Sequence, residues 1–492
     1  MTTIADATEE ELDAVLAAAR SAAGPFAAER PAVRAGRLRS VADALDAAAD
    51  VLVPLAEDES HLPEVRLRGE LARTTFQIRF LADVLEDGSY LEAIIDTADP
   101  DAQPTPRPEV RRQLHPLGPV LVFAASNFPF AFSVAGGDTA SALAAGCPVV
   151  LKAHPGHPEL SRRTGDIVSG ALREAGAPEG SFQVVFGLDA GRQALLDPRV
   201  RAGAFTGSVG VGRALFDLAA SRAEPIPFYG ELGSLNPVFV TPSAVEARGA
   251  EIVRGYVASF TMGVGQFCTK PGLLFLPRGH GLVDELAEQV RQVPAAPMLN
   301  DRIRSGYQSG LESAAGVGGV RVVVGGEPTG DLMAPTLVTV SVPDLLAAGD
   351  SLLTECFGPM SIVVEYDGDE QALAAAEAFE GNLTATLHTE DGDPVASPLL
   401  ERLRERAGRL ICNGWPTGVS VTWGMHHGGP YPATTAPLHT SVGGTAIGRF
   451  LRPVCYQNVP QALLPEALRD ANQLGIPRRV NGTMTSADVA GT

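Results

Sequence analysis

The sequence predicts an α/β protein built from parallel β-sheets covered by helices. Short apolar runs alternate with helical segments between residues 118 and 240, and a second series of apolar runs begins near residue 250. Strand–helix alternation of this kind favours a parallel sheet with helices on its faces. A chain of 492 residues, 45% of them hydrophobic, can bury a sizeable core and is expected to divide into at least two domains.

The N-terminal part of the chain, up to about residue 95, is predicted to be helical. Thr8 and Glu11 have the spacing of a capping box, and Leu12 and Leu16 follow at helical spacing. The proline-bearing stretch 99–108 interrupts this pattern, because proline fixes φ and removes a backbone donor. We expect that stretch to be an exposed connection or an edge element.

Strands are predicted in two series, and the chain ends in a polar segment. The first series comprises 120–125, 149–152, 182–186, 204–206 and 237–240, with helices near 136–145, 158–175 and 208–222. The second series comprises 273–276, 320–324, 336–340, 361–366, 384–388 and 410–412. Residues 478–492 contain too little apolar surface to offset the entropy of ordering them, so we expect a flexible tail.

The charge of the chain excludes several classes of partner. A formal net charge of −20 argues against sequence-independent nucleic-acid binding and against docking on an anionic membrane. The N-terminus resembles neither a secretory signal nor a transit peptide. No apolar stretch approaches the ~18 residues that span a bilayer. The sequence therefore predicts a soluble, cytoplasmic protein with no nucleic-acid or membrane partner.

The cysteines are odd in number and widely spaced, which favours reduced thiols over disulfides. No Cys-x-x-Cys pair is present that could hold a structural metal. His154 and His157 lie close in sequence, but the intervening proline and glycine prevent presentation on one helical face, and no further ligands are nearby. We therefore predict no metal site. The cysteines are Cys147, Cys268, Cys356, Cys412 and Cys455.

Cys268 and Glu231 are the candidates for covalent catalysis. Cys268 ends the glycine-containing segment 263–268, where backbone can approach a substrate and an amide can face a developing oxyanion. A thiolate there could add to a carbonyl, and the thiohemiacetal formed can lose a hydride. Glu231 could activate water to hydrolyse an acyl-enzyme. Taken singly, a small buried thiol and a surface carboxylate are the alternatives.

Three further segments could bind a nucleotide. Residues 205–212 follow a predicted strand and open a helix, the setting in which backbone amides hold a pyrophosphate, although the Gly-x-Gly-x-x-Gly pattern is absent. Lys152 ends a predicted strand and can reach ribose hydroxyls or a phosphate. Glu355 could hold a ribose, with Phe357 packing on a ring. A tight turn or a solvated acid is the alternative in each case.

In order and spacing, these motifs together resemble the aldehyde dehydrogenase superfamily, over roughly residues 10–470. The motifs are Asn127-Phe-Pro, Lys152, Phe205-Thr-Gly-Ser208, Glu231-Leu-Gly, Gly265-Gln-Phe-Cys268 and Glu355-Cys-Phe-Gly-Pro359. The resemblance implies a Rossmann-like cofactor domain, a catalytic α/β domain and a small β oligomerisation element in a homodimer or homotetramer. The implied boundaries are 1–97 and 117–236 for the cofactor domain, 237–450 for the catalytic domain, and 98–116 and 451–475 for the oligomerisation element.

The resemblance also implies the reaction and the role of each site residue. A small-molecule aldehyde would be oxidised with NADP or NAD. Cys268 would be the nucleophile, the Asn127 amide and the Cys268 N–H would stabilise the oxyanion, and Glu231 would be the general base for thioester hydrolysis. The implied cofactor-binding residues are Ala125, Ser126, Lys152, His154, Gly187, Gly207, Ser208, Leu232, Gly233, Glu355 and Phe357.

One departure from the superfamily concerns the cofactor. Members that prefer NAD usually have an acid three residues after the lysine, where it binds the adenosine 2′-hydroxyl; here that position is Pro155. An acid there would repel a 2′-phosphate. Its absence, beside His154, favours NADP slightly over NAD.

A second departure lies in the C-terminal part, where 425–434 and 440–444 replace the usual glycine-rich segment with its lysine. With 135–142 and 449–457, these segments resemble the 2-oxoglutarate semialdehyde (2,5-dioxopentanoate) dehydrogenase branch. That branch acts in bacterial catabolism of pentoses, sugar acids and hydroxyproline. A 2-oxo acid would need hydroxyl or cationic donors at the mouth of the substrate tunnel, which the sequence does not assign.

Several alternatives stay open at this point. The branch also resembles fatty-aldehyde dehydrogenases, so a fatty aldehyde or another semialdehyde is possible as substrate. An acylating enzyme would deliver the thioester to coenzyme A, but Glu231 favours water. A non-catalytic nucleotide-binding homologue is the rival of another class, which the presence of Asn127, Glu231 and Cys268 disfavours. His426 and His427 are interpreted as loop or pocket lining.

Overall fold

The computed structural model describes residues 4–326 and 330–489 and contains three main β-sheets, of which helices cover the first two. None of the helices in those ranges is long and apolar enough to cross a membrane. The helices are α1 (Glu9–Ala27), α2 (Pro31–Ala47), α3 (Ala49–Ser60), α4 (Glu64–Asp87), α5 (Gly137–Ala145), α6 (Pro158–Glu174), α7 (Leu188–Leu196), α8 (Val209–Ala220), α9 (Pro242–Thr261), α10 (Val283–Arg291), α11 (Asp301–Ala315), α12 (Val342–Ala348), α13 (Gly368–Ala378) and α14 (Ala396–Arg404).

Every strand predicted in the two series is present, with shifts of up to three residues at its ends, but the strand predicted at 237–240 pairs with strands of the second series, and further strands lie outside both series. The strands are β1 (Ile94–Asp96), β2 (Val110–Pro116), β3 (Val120–Phe123), β4 (Val149–Lys152), β5 (Phe182–Val185), β6 (Ala202–Thr206), β7 (Phe228–Glu231), β8 (Val238–Val240), β9 (Leu273–Pro277), β10 (Ala296–Pro297), β11 (Arg321–Val324), β12 (Leu332–Met333), β13 (Thr336–Ser341), β14 (Met360–Tyr366), β15 (Asn382–His388), β16 (Ala407–Cys412), β17 (Leu451–Gln457), β18 (Arg478–Val480) and β19 (Thr483–Thr485).

The predicted N-terminal helices are confirmed. Helix α1 begins with the predicted capping box, in which the Thr8 side chain accepts from the Glu11 N–H and the Glu11 carboxylate accepts from the Thr8 N–H. Leu12 and Leu16 are buried against the first sheet. The predicted interruption at 99–108 is an exposed connection between β1 and β2, also as expected.

The first sheet is entirely parallel, in the order β5-β4-β3-β6-β7. Its register aligns Phe123 with Lys152 and with Phe205, and Thr206 with Glu231. The carboxyl ends of these strands therefore meet at a single edge, which is where α/β sheets bind ligands. The sequence does not predict β7, because four residues ending in a carboxylate carry little strand signal.

The second sheet has the order β11-β13-β14-β9-β8-β15-β16 and is parallel except for β11 at one edge. Residues after this sheet do not stay with it. Val421, Val442, Ile447 and Phe450 are buried in the same core as helices α2, α4 and α5. The segment between β16 and β17, which the predicted boundaries assign to the catalytic domain, thus packs on the first domain and crosses the cleft between the sheets.

The third sheet, in the order β17-β2-β1-β18-β19, joins the C-terminal part of the chain to the projecting β1–β2 region. The prediction of a flexible tail from 478 is wrong over residues 478–489, while 490–492 lie outside the described residues. Strand β18 pairs with β1, and the fully buried Arg478 donates to the carbonyls of Asp470 and Ala487. Composition missed this because the partner strand lies almost 400 residues away in the chain.

Candidate active site

Cys268 lies in a tightly folded loop between α9 and β9. Three successive residues before it, Gly263, Val264 and Gly265, are left-handed, with φ of 56°, 58° and 65°. A β-branched valine rarely adopts this conformation, and such strained backbone clusters at functional sites. The Asn236 side chain stabilises the loop, because its Nδ2 donates to the Cys268 carbonyl at 2.8 Å.

The loop also contacts the Glu355–Pro359 motif, which directly precedes β14 of the second sheet. A Cβ on Gly265 would lie 2.2 Å from the carbonyl oxygen of Gly358, so only glycine allows this approach. Two predicted motifs that are almost 90 residues apart in sequence are therefore in direct contact.

The Cys268 thiol faces an imidazole and two carboxylates. Its Sγ lies 3.6 Å from Nε2 of His427. Burial raises the pKa of the thiol to about 12, and the negative charges of Glu231 and Glu355 act in the same direction, against Arg409. The thiol is consequently protonated at neutral pH and needs a proton acceptor before it can attack a carbonyl.

Glu231 ends β7 and is buried, with only 6% of its surface exposed. Among the described residues, its Oε2 has no hydrogen-bond partner, and it lies 3.5 Å from Nε2 of His427. Burial raises the pKa of this carboxyl to about 8. A carboxyl with such a pKa can take up and release a proton near physiological pH, as a general base requires.

Asn127 follows β3 and is brought to the cysteine loop by contacts with α4. The Asn127 Nδ2 donates to the Gln266 carbonyl at 3.1 Å, and the Arg66 guanidinium donates to the backbone carbonyl of Asn127 at 2.7 Å. The buried Glu70 accepts the backbone N–H groups of the following turn at Phe130. An amide has two N–H groups, so one is left to face an oxyanion near Cys268.

His427 was interpreted from sequence only as loop or pocket lining, and the structure places its ring between the cysteine and the glutamate. Its backbone N–H donates to Thr440 Oγ1 at 2.8 Å, and its carbonyl accepts the Ser441 N–H at 2.9 Å. Burial lowers the pKa of the imidazole to about 3, reinforced by the charges of nearby arginines. The ring is therefore neutral at physiological pH. Sequence offers no rule for which residue of the His426-His427 pair turns inward.

Three half-buried arginines near the cysteine were not predicted from sequence. They are Arg66 and Arg73 on α4, and Arg409 on β16. Each donates to backbone carbonyls, and none forms an ion pair with a described carboxylate. Arg66 and Arg73 lie over aromatic rings, with distances of 5.1 Å to Phe128 and 5.6 Å to Phe132.

Lys152 lies at the carboxyl edge of the first sheet, where the cofactor site is expected. Its side chain is buried, and burial lowers the pKa of its ammonium to about 8. No described carboxylate pairs with it. A buried cation that is offset only by the more distant charge of Asp6 fits a ligand that offers phosphate oxygens or ribose hydroxyls, which is what the nucleotide of NAD(P) would present.

Gly207, Ser208, Leu232, Gly233 and Glu355 come together from both sheets. Ser208 is the N-cap of α8, and the Gly207 N–H donates to the Glu231 carbonyl at 3.0 Å. Leu232 is buried beside them. A Cβ on Gly233 would lie 2.8 Å from Oε2 of Glu355, so the glycine makes room for that carboxylate. Burial raises the pKa of Glu355 to about 7.

The two histidines after β4 have defined roles in hydrogen bonding. His157 Nε2 contacts the Ala125 carbonyl at 2.9 Å, which ties the turn after β3 to α6. His154 Nδ1 accepts the Gly156 N–H at 3.0 Å, so the proton of its neutral ring is on Nε2, where it can be donated to a ligand. Within residues 4–326 and 330–489, no group of three His, Cys, Asp or Glu side chains is arranged to hold a metal.

The remaining predicted residues are less closely gathered. Ser126 and Phe357 are half-buried, in the same loops as Asn127 and Glu355. Gly187 begins α7 with φ of 105°, and a Cβ there would meet Asp6 at 2.9 Å. Glycine is required at position 187 because the N-terminal segment packs closely against it. No contact with another predicted site residue is needed to explain it.

Most of the chain matches a known protein family. The model of the aldehyde dehydrogenase family matches residues 1–430. An alpha-ketoglutaric semialdehyde dehydrogenase from Acinetobacter baylyi is 43% identical over 491 residues, covering 97% of this chain and 92% of the relative. Alpha-ketoglutaric semialdehyde dehydrogenase 2 from Azospirillum brasilense is 44% identical over 484 residues, with the same coverage of 97% and 92%.

Solved structures agree with the fold. The aldehyde dehydrogenase 21 of Physcomitrella patens, in complex with the reaction product succinate, has a TM-score of 0.79 at 21% identity, over 93% of this chain and 92% of its own. An NAD-dependent aldehyde dehydrogenase from Sinorhizobium meliloti has a TM-score of 0.77 at 25% identity, over 94% and 90% of the two chains.

Proposed function

The chain belongs to the aldehyde dehydrogenase family and is an NAD(P)-dependent aldehyde oxidoreductase, and we propose that its substrate is 2-oxoglutarate semialdehyde, which it oxidises to 2-oxoglutarate. The two relatives at 43% and 44% identity are named for this same semialdehyde, under its synonym. The structural observation that carries the proposal is the positive charge around Cys268. It is supplied by Arg66, Arg73 and Arg409.

These arginines support an acidic substrate over an apolar one. The aromatic surfaces of Phe128 and Phe267 favour a fatty aldehyde at first sight. The guanidinium of Arg66, however, lies 5.1 Å from one ring centre and 4.8 Å from the other, so the aromatic surface carries a cation. Burial lowers the pKa of Arg73 and of Arg409, which means that both cations would gain from an added anion. A 2-oxo carboxylate provides that charge and can accept charge-assisted hydrogen bonds.

The reaction proceeds on the residues around the cysteine. The Cys268 thiolate adds to the aldehyde carbon, forming a C–S bond and an oxyanion. The second N–H of the Asn127 amide and the Cys268 backbone N–H stabilise that oxyanion. Bound NAD(P) supplies the acceptor for the hydride that the thiohemiacetal loses. Glu231 then takes a proton from water, the hydroxide attacks the thioester carbonyl, and the C–S bond breaks to release the acid.

The cofactor is held by the carboxyl edge of the first sheet and by Glu355 from the second domain. Lys152 and Glu355 would bind ribose hydroxyls, and the Gly207-Ser208 turn at the start of α8 would receive the pyrophosphate. NADP is slightly preferred over NAD. The absence of an acid at Pro155 supports this preference, as do the Nε2–H donor of His154 and the positive charge of Arg302. Burial, together with the charges of His157, Lys152 and Arg302, lowers the pKa of His154.

The third sheet provides the surface for a homodimer or homotetramer. Strands β17 and β19 lie at its two edges, with backbone groups available for pairing or packing. The proposed oligomerisation element, residues 98–116 and 451–475, contributes β2 and β17 to this sheet. Light scattering on a sizing column tests the assembly, and a monomer at micromolar concentration would rule it out.

The substrate is tested by measuring NAD(P)H formation at equal concentrations of three aldehydes. They are 2-oxoglutarate semialdehyde, pentanal as a neutral compound of the same chain length, and a long-chain fatty aldehyde, each with NAD and with NADP. We expect the highest kcat/KM with the semialdehyde. A higher kcat/KM with the long-chain aldehyde would overturn the substrate assignment, and a requirement for coenzyme A would replace hydrolysis by acyl transfer.

A further inference from the structure

A buried histidine lies between the two groups on which the proposed reaction depends. Nε2 of His427 is 3.6 Å from Sγ of Cys268 and 3.5 Å from Oε2 of Glu231. Among the described residues, no hydrogen bond joins Sγ to Glu231 directly, and Oε2 has no hydrogen-bond partner, although the Ser441 hydroxyl is near enough to act on the pKa of Glu231. The same ring nitrogen is thus the shared neighbour of the thiol and the carboxyl.

The position of the ring is determined by its backbone and by an aromatic neighbour. Thr440 accepts its N–H, Ser441 donates to its carbonyl, and the ring of Phe132 lies 6.1 Å away. None of these contacts uses Nε2. A histidine with only a structural role would direct a buried ring nitrogen at a fixed polar partner, whereas this nitrogen is directed at two groups that change protonation during the reaction.

Burial, and after it the neighbouring positive charges, keeps the ring neutral and able to hold an added proton only briefly. Burial lowers its pKa to about 3, and every neighbouring cation acts in the same direction. A base that is protonated transiently transfers a proton without retaining it. The titratable and charged groups that face the ring are Cys268, Glu231, Arg73, Arg409, Arg449 and His426.

We propose that His427 carries the thiol proton of Cys268 to the carboxylate of Glu231. With the ring proton on Nδ1, the lone pair of Nε2 accepts the proton as the S–H bond breaks and an N–H bond forms. That N–H bond then breaks as the proton is transferred to Oε2. The products are a thiolate, a neutral imidazole and a neutral carboxyl. Glu231 afterwards loses its proton to solvent, which restores the carboxylate that activates water.

This step rests on the proposed function only through the identity of the nucleophile and the base. It requires neither aldehyde nor cofactor, so it is testable on the protein alone. Rotation of the imidazole about its side-chain bonds brings Nε2 towards either partner in turn, which the present distances of 3.6 and 3.5 Å allow. The relay couples the formation of the thiolate to the protonation state of Glu231.

The test is the rate at which Cys268 reacts with iodoacetamide as a function of pH, with the modified residue identified by mass spectrometry. His427→Asn keeps a polar side chain of smaller size but removes the proton acceptor. We expect alkylation at pH 7.5 to slow by at least about 10-fold, the low end of the contribution of a general base. His115→Asn, at a half-buried histidine on β2 of the third sheet, is the matched control and should react like the wild type.

Two further variants keep the proposal falsifiable if His427→Asn is misfolded. In His427→Ala, added imidazole should restore the alkylation rate, whereas in the wild type it should not raise it. Glu231→Gln leaves the histidine intact and should remove the rise in alkylation rate as the pH passes through about 8. Circular dichroism and NADPH binding check that each variant is folded. A wild-type alkylation profile in folded His427→Asn would overturn the relay, whichever aldehyde the enzyme prefers.

Discussion

The active site has two walls of different origin. One wall is the carboxyl edge of the first sheet, where Asn127, Lys152 and Glu231 each lie at or just after a strand end. The other wall is formed by α4, β16 and the segment that follows β16, and it contains Arg73 and His427. We call the first the edge wall and the second the loop wall. The three residues of the edge wall come from the first half of the chain, whereas Arg73 and His427 of the loop wall are more than 350 residues apart in sequence.

The two walls also differ in charge. The edge wall holds Glu231, a buried acid whose pKa is raised to about 8, because burial disfavours its charged form. The loop wall holds half-buried arginines and a neutral imidazole. We infer a division of work. The edge wall performs the steps common to any aldehyde, and the loop wall selects the aldehyde and controls the proton of the thiol.

Replacing Cys268, the proposed nucleophile between the two walls, has the largest expected effect. Cys268→Ala should lower NAD(P)H formation by at least about 1,000-fold, as removal of a catalytic nucleophile does in other enzymes. Cys412→Ala, at an exposed thiol on β16, is the control and should retain wild-type activity. Appreciable turnover by Cys268→Ala would show that this residue is not the nucleophile, and the two walls could then not be compared by how they act on it.

The edge wall is tested next through Glu231→Gln. Loss of the base should leave a burst of one equivalent of reduced cofactor per active site, followed by turnover slower by about 100-fold or more. In the wild type, steady-state turnover should rise with pH through about 8 wherever hydrolysis limits the rate, because the carboxyl must lose its proton to act as a base. The variant should lack that rise. Stopped-flow absorbance shows both phases, and undiminished steady-state turnover would contradict the assignment.

The loop wall is tested by comparing a charged with a neutral aldehyde. Arg73→Met and Arg409→Met should each lower kcat/KM for 2-oxoglutarate semialdehyde by about 10- to 100-fold, since a hydrogen bond to a charged group contributes about 1.5–3 kcal/mol. For pentanal, kcat/KM should change little. Arg68→Met, on the same helix but paired at the surface with Glu64, is the control. Equal losses on both aldehydes would show that the arginines support the fold rather than select the substrate.

The smallest effect is expected at the far end of the edge wall. Pro155→Glu places an acid three residues after Lys152 and should lower the ratio of kcat/KM for NADP to that for NAD by about five-fold, the effect of roughly 1 kcal/mol of repulsion between partly exposed charges. Initial rates with the two cofactors at a single aldehyde concentration measure this ratio. An unchanged ratio would place the 2′-phosphate away from this turn.

Most of the edge wall could be predicted from the sequence because its chemistry is local. Lys152 ends a clearly patterned strand, and Glu231 precedes a glycine and an apolar strand, although β7 itself was not predicted. Parallel strands then bring their carboxyl ends together without further information. Where sequence reasoning was wrong, at the tail beginning with Arg478, the stabilising partner was β1, a strand remote in the chain. A composition argument weighs a segment by itself and cannot include the hydrogen bonds it gains elsewhere.

By itself, the sequence determined the α/β class, the positions of the strands in the two predicted series, and the set of motifs that resembles one enzyme superfamily. Only the tertiary structure decided that His427 lies between Cys268 and Glu231, and that arginines from α4 and β16 face the same thiol. The physical reason is that periodicity and turn chemistry act over a few neighbouring residues. The protonation of a buried group depends instead on the charges and the solvent exclusion that distant segments supply once they are packed.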